Sequence, residues 1–318
     1  MSPEPGALPL GLGCAGVGNH RVALTDEAAA AILDRAWSAG VRLFDTAPHY
    51  GLGLSERRLG EFLRGRPRAQ YRVSTKAGRL LEPQANPDGA LDDEGYLVPA
   101  DTRRVWDFGA SGIRASVESS LIRLGLDRLD TVYLHDPERF DLAAGLDSGL
   151  PALIALREEG LIGAIGVGSM DRGALLAAAR RDGVDELMVA NRYTLVDRAA
   201  ADDLLPLCAD RGIRVVAAAV FNGGLLASTP TERSSFDYGP VPADVLARAQ
   251  AMDTACAAVG VPLAAAALQF PLRHPAVGTV VAGASRAQQV TSTVALLQAD
   301  VPPGLWDRLD QVRPVAVS

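Results

Sequence analysis

Along the chain, short apolar runs alternate with longer stretches in which apolar positions recur every three or four residues. The short runs fall at 8–14 (LPLGLGC), 41–45 (VRLFD), 71–76 (YRVSTK), 129–135 (LDTVYLH), 161–168 (LIGAIGVG), 186–193 (ELMVANRY), 213–220 (IRVVAAAV) and 277–283 (VGTVVAG). Each has the length of a strand, and each is apolar on both faces, as parallel strands covered by helices must be. Between most of them lie amphipathic helices with readable ends: Thr25-Asp26-Glu27 opens one that Gly40 closes, Ser111 or Ser116 stands near the start of another that ends at Gly125, and Leu150 to Gly160 makes a third. Repeated βα units predict a parallel sheet, and eight of them in roughly 300 residues is the count of a closed (β/α)8 barrel of the TIM type. A doubly wound, Rossmann-type sheet is the alternative, although at this length it carries about five to seven strands.

Two stretches stand outside the repeat. Residues 79–108 are rich in Pro, Gly and Asp yet carry Tyr96, Trp106 and Phe108, and residues 228–242 have the same character. They read as long loops after the third and seventh strands of a single α/β domain spanning 1–318. Loops of that length are commonly functional, although a mobile surface loop explains the second equally well.

Composition narrows the partners. With 48% hydrophobic and 22% charged residues the chain is an ordinary globular one, and a net charge of −7 without any basic stripe gives no pull toward nucleic acid or an anionic membrane. The N-terminal stretch has no basic start and no apolar core, and no apolar run reaches membrane-spanning length, so a cytoplasmic location is expected. Three cysteines, Cys14, Cys208 and Cys256, far apart and odd in number, fit reduced thiols. The four histidines show no ligand-like spacing, so no metal site is expected. What remains is a small-molecule partner, for a monomer or small homo-oligomer.

In such a barrel the chemistry belongs where strands run into their following loops. Asp45, Lys76 and His135 end the second, third and fourth apolar runs. Singly, each has a plain structural explanation, as a loop cap, a surface cation or a core imidazole. Together they are harder to dismiss, because adjacent strand ends lie about 5 Å apart and a charged group there is costly unless paired. Tyr50, in a Gly-flanked turn five residues beyond Asp45, can fold back over the three.

With those residues in view, FDTAPHYGLGLSERRLG, STK, YLHDP and GAIGVG resemble the aldo-keto reductases, (β/α)8 enzymes that bind a nicotinamide cofactor without a Rossmann fold. The likeness runs from GLGC to VAGAS. The segments AWSAGVRLFDTAPHYGLGLSERRLG, STKAGRLL, LGLDRLDTVYLHDPE, NRYTLVD, FNGGLLA and AAALQFPLRHPAVGTVVAGA are similar to the bacterial aldose 1-dehydrogenase branch, which includes L-fucose or D-threo-aldose dehydrogenases and pyridoxal 4-dehydrogenase. The resemblance implies a catalytic tetrad of Asp45, Tyr50, Lys76 and His135, with Tyr50 as general acid/base. It implies cofactor contacts from Gly13, Cys14 and Asp45, from Phe221, Asn222, Gly223, Gly224 and Leu225 after strand seven, and from Gly283, Ala284, Ser285, Arg286 and Gln289 around the start of the last barrel helix. Substrate would meet Tyr50, His135, Tyr96 and Trp106, with Asp101, Arg103 and Arg104 as further candidates.

The chain departs from the family pattern at the nicotinamide. Ser169-Met170 replaces the usual Ser-Asn pair, Ala190 or Asn191 stands where a glutamine is usual, and an alanine near position 218 replaces a stacking tyrosine. Ser169 and Asn191 are the substitutes left. NADP is the expected cofactor, with NAD as the alternative; Arg286 is the one cation of the strand-eight segment, while Gln289 stands where many NADP-preferring members carry arginine. The activity implied is NAD(P)-dependent oxidation of a free aldose at C1 to its lactone. The alternatives are NADPH-dependent reduction of aldehydes or ketones, pyridoxal-type substrates included, and a cofactor-binding regulatory subunit.

Overall fold

The computed structural model describes residues 8–86, 88–237 and 239–312. Residues 1–7, on which the reading of the N-terminus rests, lie outside these, as do Pro87 and Tyr238 of the two long loops. All eight expected barrel strands form: β1 (Leu10–Gly13), β2 (Leu43–Asp45), β3 (Arg72–Ala77), β4 (Leu129–His135), β5 (Ile162–Ser169), β6 (Glu186–Ala190), β7 (Arg214–Ala218) and β8 (Val277–Gly283). They pair in parallel in the order β1-β8-β7-β6-β5-β4-β3-β2 and close on β1, which rules out the doubly wound alternative. Closure also explains the doubly apolar strands: the barrel lumen takes one face and the helical ring the other.

The helices start and stop where local chemistry dictates. In α1 (Asp26–Ser38) the Thr25 side chain accepts the Ala28 N–H at 3.2 Å, and Gly40 beyond the end takes a left-handed φ of +89°. After α2 (Leu54–Leu63), helix α3 (Ala110–Leu124) begins at Gly109, just ahead of Ser111, and Ser116 is buried six residues in. Gly125 closes α3 in the left-handed conformation, donating to the carbonyls of Ile122 and Leu121. Next come α4 (Leu150–Glu158), α5 (Arg172–Ala179), α6 (Leu204–Arg211), α7 (Ala243–Ala257), α8 (Leu263–Gln269), α9 (Ala287–Gln298) and α10 (Pro303–Gln311). Their apolar faces bury Ile32, Leu33, Leu59, Ile113 and Leu153 against the strands, and each such side chain contributes about 1.5–3 kcal/mol.

Inside the barrel, Tyr133, Met188, Val216 and Val281 fill the lumen. The Tyr133 hydroxyl donates to Glu186, whose other oxygen accepts from Arg214 at 3.2 Å. A plugged lumen leaves no channel through the barrel, so a ligand must bind at one of its ends.

Each long loop contains a short antiparallel ladder. Arg79–Pro83 pairs antiparallel with Thr102–Trp106, from Arg79 opposite Trp106 to Pro83 opposite Thr102, and a smaller ladder joins Ser235–Phe236 to Gly239–Pro240. The first hairpin is hidden in the sequence because 84–101 separates its strands and because RLLEP and TRRVW lack apolar alternation. Among the described residues no helix is long and apolar enough to cross a membrane.

Candidate active site

Parallel register sets the site. Gly13 stands opposite Asp45, Asp45 opposite Ser74, Lys76 opposite Tyr133, and His135 opposite Gly168, so the polar ends of β2, β3 and β4 emerge at one level. Lys76 and Asp45 are each about 3% exposed and form an ion pair of 2.8 Å. The other Asp45 oxygen accepts from the Ser74 hydroxyl at 2.8 Å, and Lys76 also donates to the Thr46 carbonyl at 2.9 Å. Two of the three ammonium N–H groups are thus used, and Nζ lies 4.6 Å from the centre of the Tyr50 ring.

Tyr50 arrives there through an unusual turn. Gly51, Leu52 and Gly53 are all left-handed, at φ +62°, +51° and +81°. A Cβ on Gly51 would stand 2.2 Å from the Gly18 carbonyl oxygen, so position 51 demands glycine for its conformation and for its space. Below the turn, Ser55 Oγ lies 2.8 Å from the Thr46 hydroxyl and donates to the Cys14 carbonyl at 2.8 Å. Cys14 acts through its backbone: its N–H donates to the Asp45 carbonyl at 2.8 Å, while its thiol is fully buried and pushed to a higher pKa by that burial.

Around Tyr50 the rings form a cage. His135 meets it edge-on at 6.1 Å, and Tyr96 lies nearly parallel to it at 6.1 Å. The His135 pKa is held well below the usual imidazole range, first by burial and then by Arg79 and Lys76, so the ring is neutral. Trp106 stacks on Phe140 at 5.8 Å and 8°, with the Arg79 guanidinium 4.4 Å from its ring centre. Strand alternation separates the remaining candidates from the hairpin. Arg104 turns inward, pairs with Asp92 and donates to the His49 carbonyl at 3.0 Å, whereas Arg103 turns outward to Glu82, and Asp101 is exposed.

Sequence patterning did not single out four groups that the fold brings in. His49 packs between Tyr96 and His135, at 5.3 and 5.5 Å, and its Nδ1 lies 3.2 Å from an Arg79 nitrogen. Burial and the neighbouring arginines keep its pKa far below the ordinary value. Arg79 in turn pairs with Asp136 at 2.5 Å. Glu138 accepts from the Ser169 hydroxyl at 2.6 Å. His49 sits beside Tyr50 and Arg79 three residues after Lys76, a proximity that was the available signal.

Opposite the tetrad, the ends of β5 to β7 carry the other expected groups. Asn191 follows β6 in a left-handed conformation, its amide nitrogen 3.8 Å from the Met170 sulfur, and Asn222 donates to the Asn191 carbonyl at 3.3 Å. Asn191 Oδ1, Asn222 Oδ1 and Glu138 Oε2 are buried with no hydrogen-bond partner among the described residues. A cleft of about 420 Å³ lies between the turns after β1, β7 and β8, lined by Gly16, Phe221, Gly223, Gly224, Gly283 and Ser285 among others. Gln289 also lines it, and its Oε1 accepts from the Ser285 and Arg286 N–H groups at 2.8 and 3.1 Å. Arg286 is exposed at the start of α9 and outside the cleft lining; Leu225 is fully buried in the core. Ala218 ends β7 with no ring to stack. A larger cleft of about 740 Å³ lies between the α2–β3 and α3–β4 connections, at the amino ends of the strands. Several of its arginines are already paired, and none of the tetrad reaches it.

Residues 9–314 match the model of a known family, described as Aldo/keto reductase family. The chain belongs to that family. This aldo-keto reductase is an oxidoreductase with a (β/α)8 barrel. It is 50% identical to a D-threo-aldose 1-dehydrogenase of Pseudomonas sp, over 96% of this chain and 94% of that one. It is 35% identical to a pyridoxal 4-dehydrogenase of Microbacterium luteolum, over 94% and 92% of the two chains. The holo form of an aldo-keto reductase from Bacillus halodurans superposes with a TM-score of 0.75 at 26% identity, covering 98% and 93%.

Proposed function

We propose that this aldo-keto reductase oxidises a free aldose at C1 to its lactone with NAD(P) as hydride acceptor. The observation that carries the reading is the buried Lys76–Asp45 pair beneath Tyr50, with neutral His135 across the ring. It is supported by the identity of half the residues with a D-threo-aldose 1-dehydrogenase.

The residues fit a dinucleotide. The glycine-lined cleft leaves room for the phosphates of a dinucleotide, and among the described residues the amide oxygens of Asn191 and Asn222 meet no protein donor. Ser169 and Asn191 would hold the carboxamide; Gly16, Gly224, Gly283 and Ser285 would line the rest. When bound, the nicotinamide supplies the hydride acceptor. The chain's own residues handle the proton. Tyr50 accepts it from the O1 hydroxyl as C1 is oxidised, and returns it in the reverse direction. Lys76 places a positive charge beside the Tyr50 ring, which favours the phenolate. Asp45 holds that ammonium in place and balances it, because a lone charge at this depth would be costly. His135, kept neutral by its surroundings, donates to the reacting oxygen and orients it. Tyr96 and the Trp106–Phe140 pair present flat faces to the C–H side of a sugar ring.

The test is to offer L-fucose, L-galactose, D-arabinose and an aromatic aldehyde with both cofactors in both oxidation states, following absorbance at 340 nm and assaying lactone. Lactone from at least one sugar is the expected result. A second reading, reduction of aldehydes of the pyridoxal type, is favoured by the Trp106–Phe140 shelf, which suits a planar ring. No lactone from any sugar, together with rapid aldehyde reduction, would replace the first reading with the second.

A further inference from the structure

We propose that Glu138 makes this site prefer the oxidised, positively charged form of the nicotinamide cofactor over the neutral reduced form. The proposal rests on the cofactor part of the reading above and does not depend on the substrate being an aldose.

The argument starts from the Ser169 hydroxyl at the end of β5. It accepts the Asp171 N–H at 2.8 Å and donates to Glu138 Oε1 at 2.6 Å, which fixes the carboxylate against the one residue of the usual carboxamide pair that this chain retains. The second oxygen, Oε2, is buried and has no partner among the described residues. A buried acceptor without a donor is costly, and here it belongs to an ionisable group whose pKa burial first, and the nearby carboxylates of Asp136 and Asp171 after it, push upward against the Ser169 hydrogen bond. Among the described residues no arginine or lysine is paired with it, whereas its neighbour Asp136 has Arg79. The carboxylate therefore presents uncompensated negative charge at the mouth, on the β4–β5 side.

A nicotinamide ring carries a positive charge when oxidised and none when reduced. A fixed carboxylate near its carboxamide end can accept from the amide in either state. Its coulombic attraction acts on the oxidised ring alone, and a water-poor pocket enlarges that difference. The site would thereby hold the hydride acceptor more tightly than the donor. The same corner contains Met170 and the unpaired Asn191 Oδ1, which carry no charge, and two carboxylates that are already engaged, Asp136 by Arg79 and Asp171 by the Ala174 N–H at the start of α5.

The experiment measures dissociation constants by calorimetry, without substrate, for the oxidised and reduced forms of whichever dinucleotide binds more tightly. ADP-ribose, or its 2′-phosphorylated form, serves as a fragment that lacks the nicotinamide. In Glu138→Gln, which keeps a hydrogen-bonding group of the same shape, the oxidised form should weaken about tenfold, the effect of about 1.4 kcal/mol, while the reduced form and the fragment change by less than about twofold. Equal weakening of both forms would make Glu138 an uncharged contact and overturn the proposal. No change in either form would overturn it too, and so would weakening of the fragment, which would place the effect in the cleft as a whole. Should Glu138→Gln fail to fold, Ser169→Ala offers a second route: it frees the carboxylate from its tether and should reduce the oxidised-to-reduced ratio severalfold, and an unchanged ratio would count against the proposal. If the unsubstituted protein binds no dinucleotide at all, the cofactor reading itself fails.

Discussion

At the scale of single residues, the buried charges beneath Tyr50 are tolerable because each has a partner. Lys76 and Asp45 satisfy one another and are completed by Ser74 and the Thr46 carbonyl. Tyr50 is the group proposed to exchange a proton with substrate, and the phenol oxygen is the one atom that Tyr50→Phe removes. Turnover should fall by about 10²- to 10⁴-fold, the range of a lost general acid/base, while the cofactor dissociation constant stays within about twofold. Initial rates together with calorimetry check both halves. A variant keeping a tenth or more of the normal rate would remove Tyr50 from the role. Much of this site was legible before folding, because Asp45, Lys76 and His135 each close an apolar run, and parallel register carries strand ends to one level. His49, Arg79 and Glu138 were not, because their significance comes from partners far along the chain: Arg79 finds Asp136, and Glu138 finds Ser169.

At the scale of elements, eight strands were readable from apolar runs alone, since burial on both faces leaves a signal that needs no alternation. The hairpin formed by Arg79–Pro83 and Thr102–Trp106 was not readable. Its strands are held by ladder hydrogen bonds and by cross-links such as Arg104 to Asp92, and their side chains face a half-wet mouth where composition carries little pattern. The α9 start is another such element. Gln289 occupies the Ser285 and Arg286 N–H groups, so the charge available for a 2′-phosphate resides in the exposed Arg286 side chain. If that side chain binds the phosphate, Arg286→Ala should raise the KM for NADP about 10- to 100-fold and leave that for NAD unchanged, as a charge-assisted contact of roughly 1.5–3 kcal/mol requires. Steady-state kinetics with both cofactors decide it; equal effects would exclude the assignment.

For the whole molecule, the arrangement of charge ties stability to pH. His49 and His135 are held neutral in the fold, with pKa values below their unfolded value of about 6.5. As pH falls through about 6.5 the unfolded chain takes up protons that the folded chain refuses, so stability is present above that point and is lost below it. Each histidine should steepen the loss toward about 1.4 kcal/mol per pH unit. The raised carboxyl pKa values of Asp136 and Glu138 act in the opposite direction and closer to the carboxylate range. Urea unfolding at pH 7.0, 6.5, 6.0 and 5.5 should therefore show falling stability, with a shallower fall in His49→Phe; a flat profile would contradict the neutral assignment. Lys76 has a consequence of a different kind. It is the only lysine among the 31 basic residues, the other thirty being arginine, and it is 3% exposed. In the folded chain its ε-amine is thus hidden from amine-directed acylating reagents, and a tag on Lys76 can appear only when the barrel mouth opens. Timed labelling read by peptide mass spectrometry should leave Lys76 untagged under native conditions and tag it in denaturant, with bound cofactor slowing arrival of the tag, so a single ε-amine becomes a clock for the opening of the site.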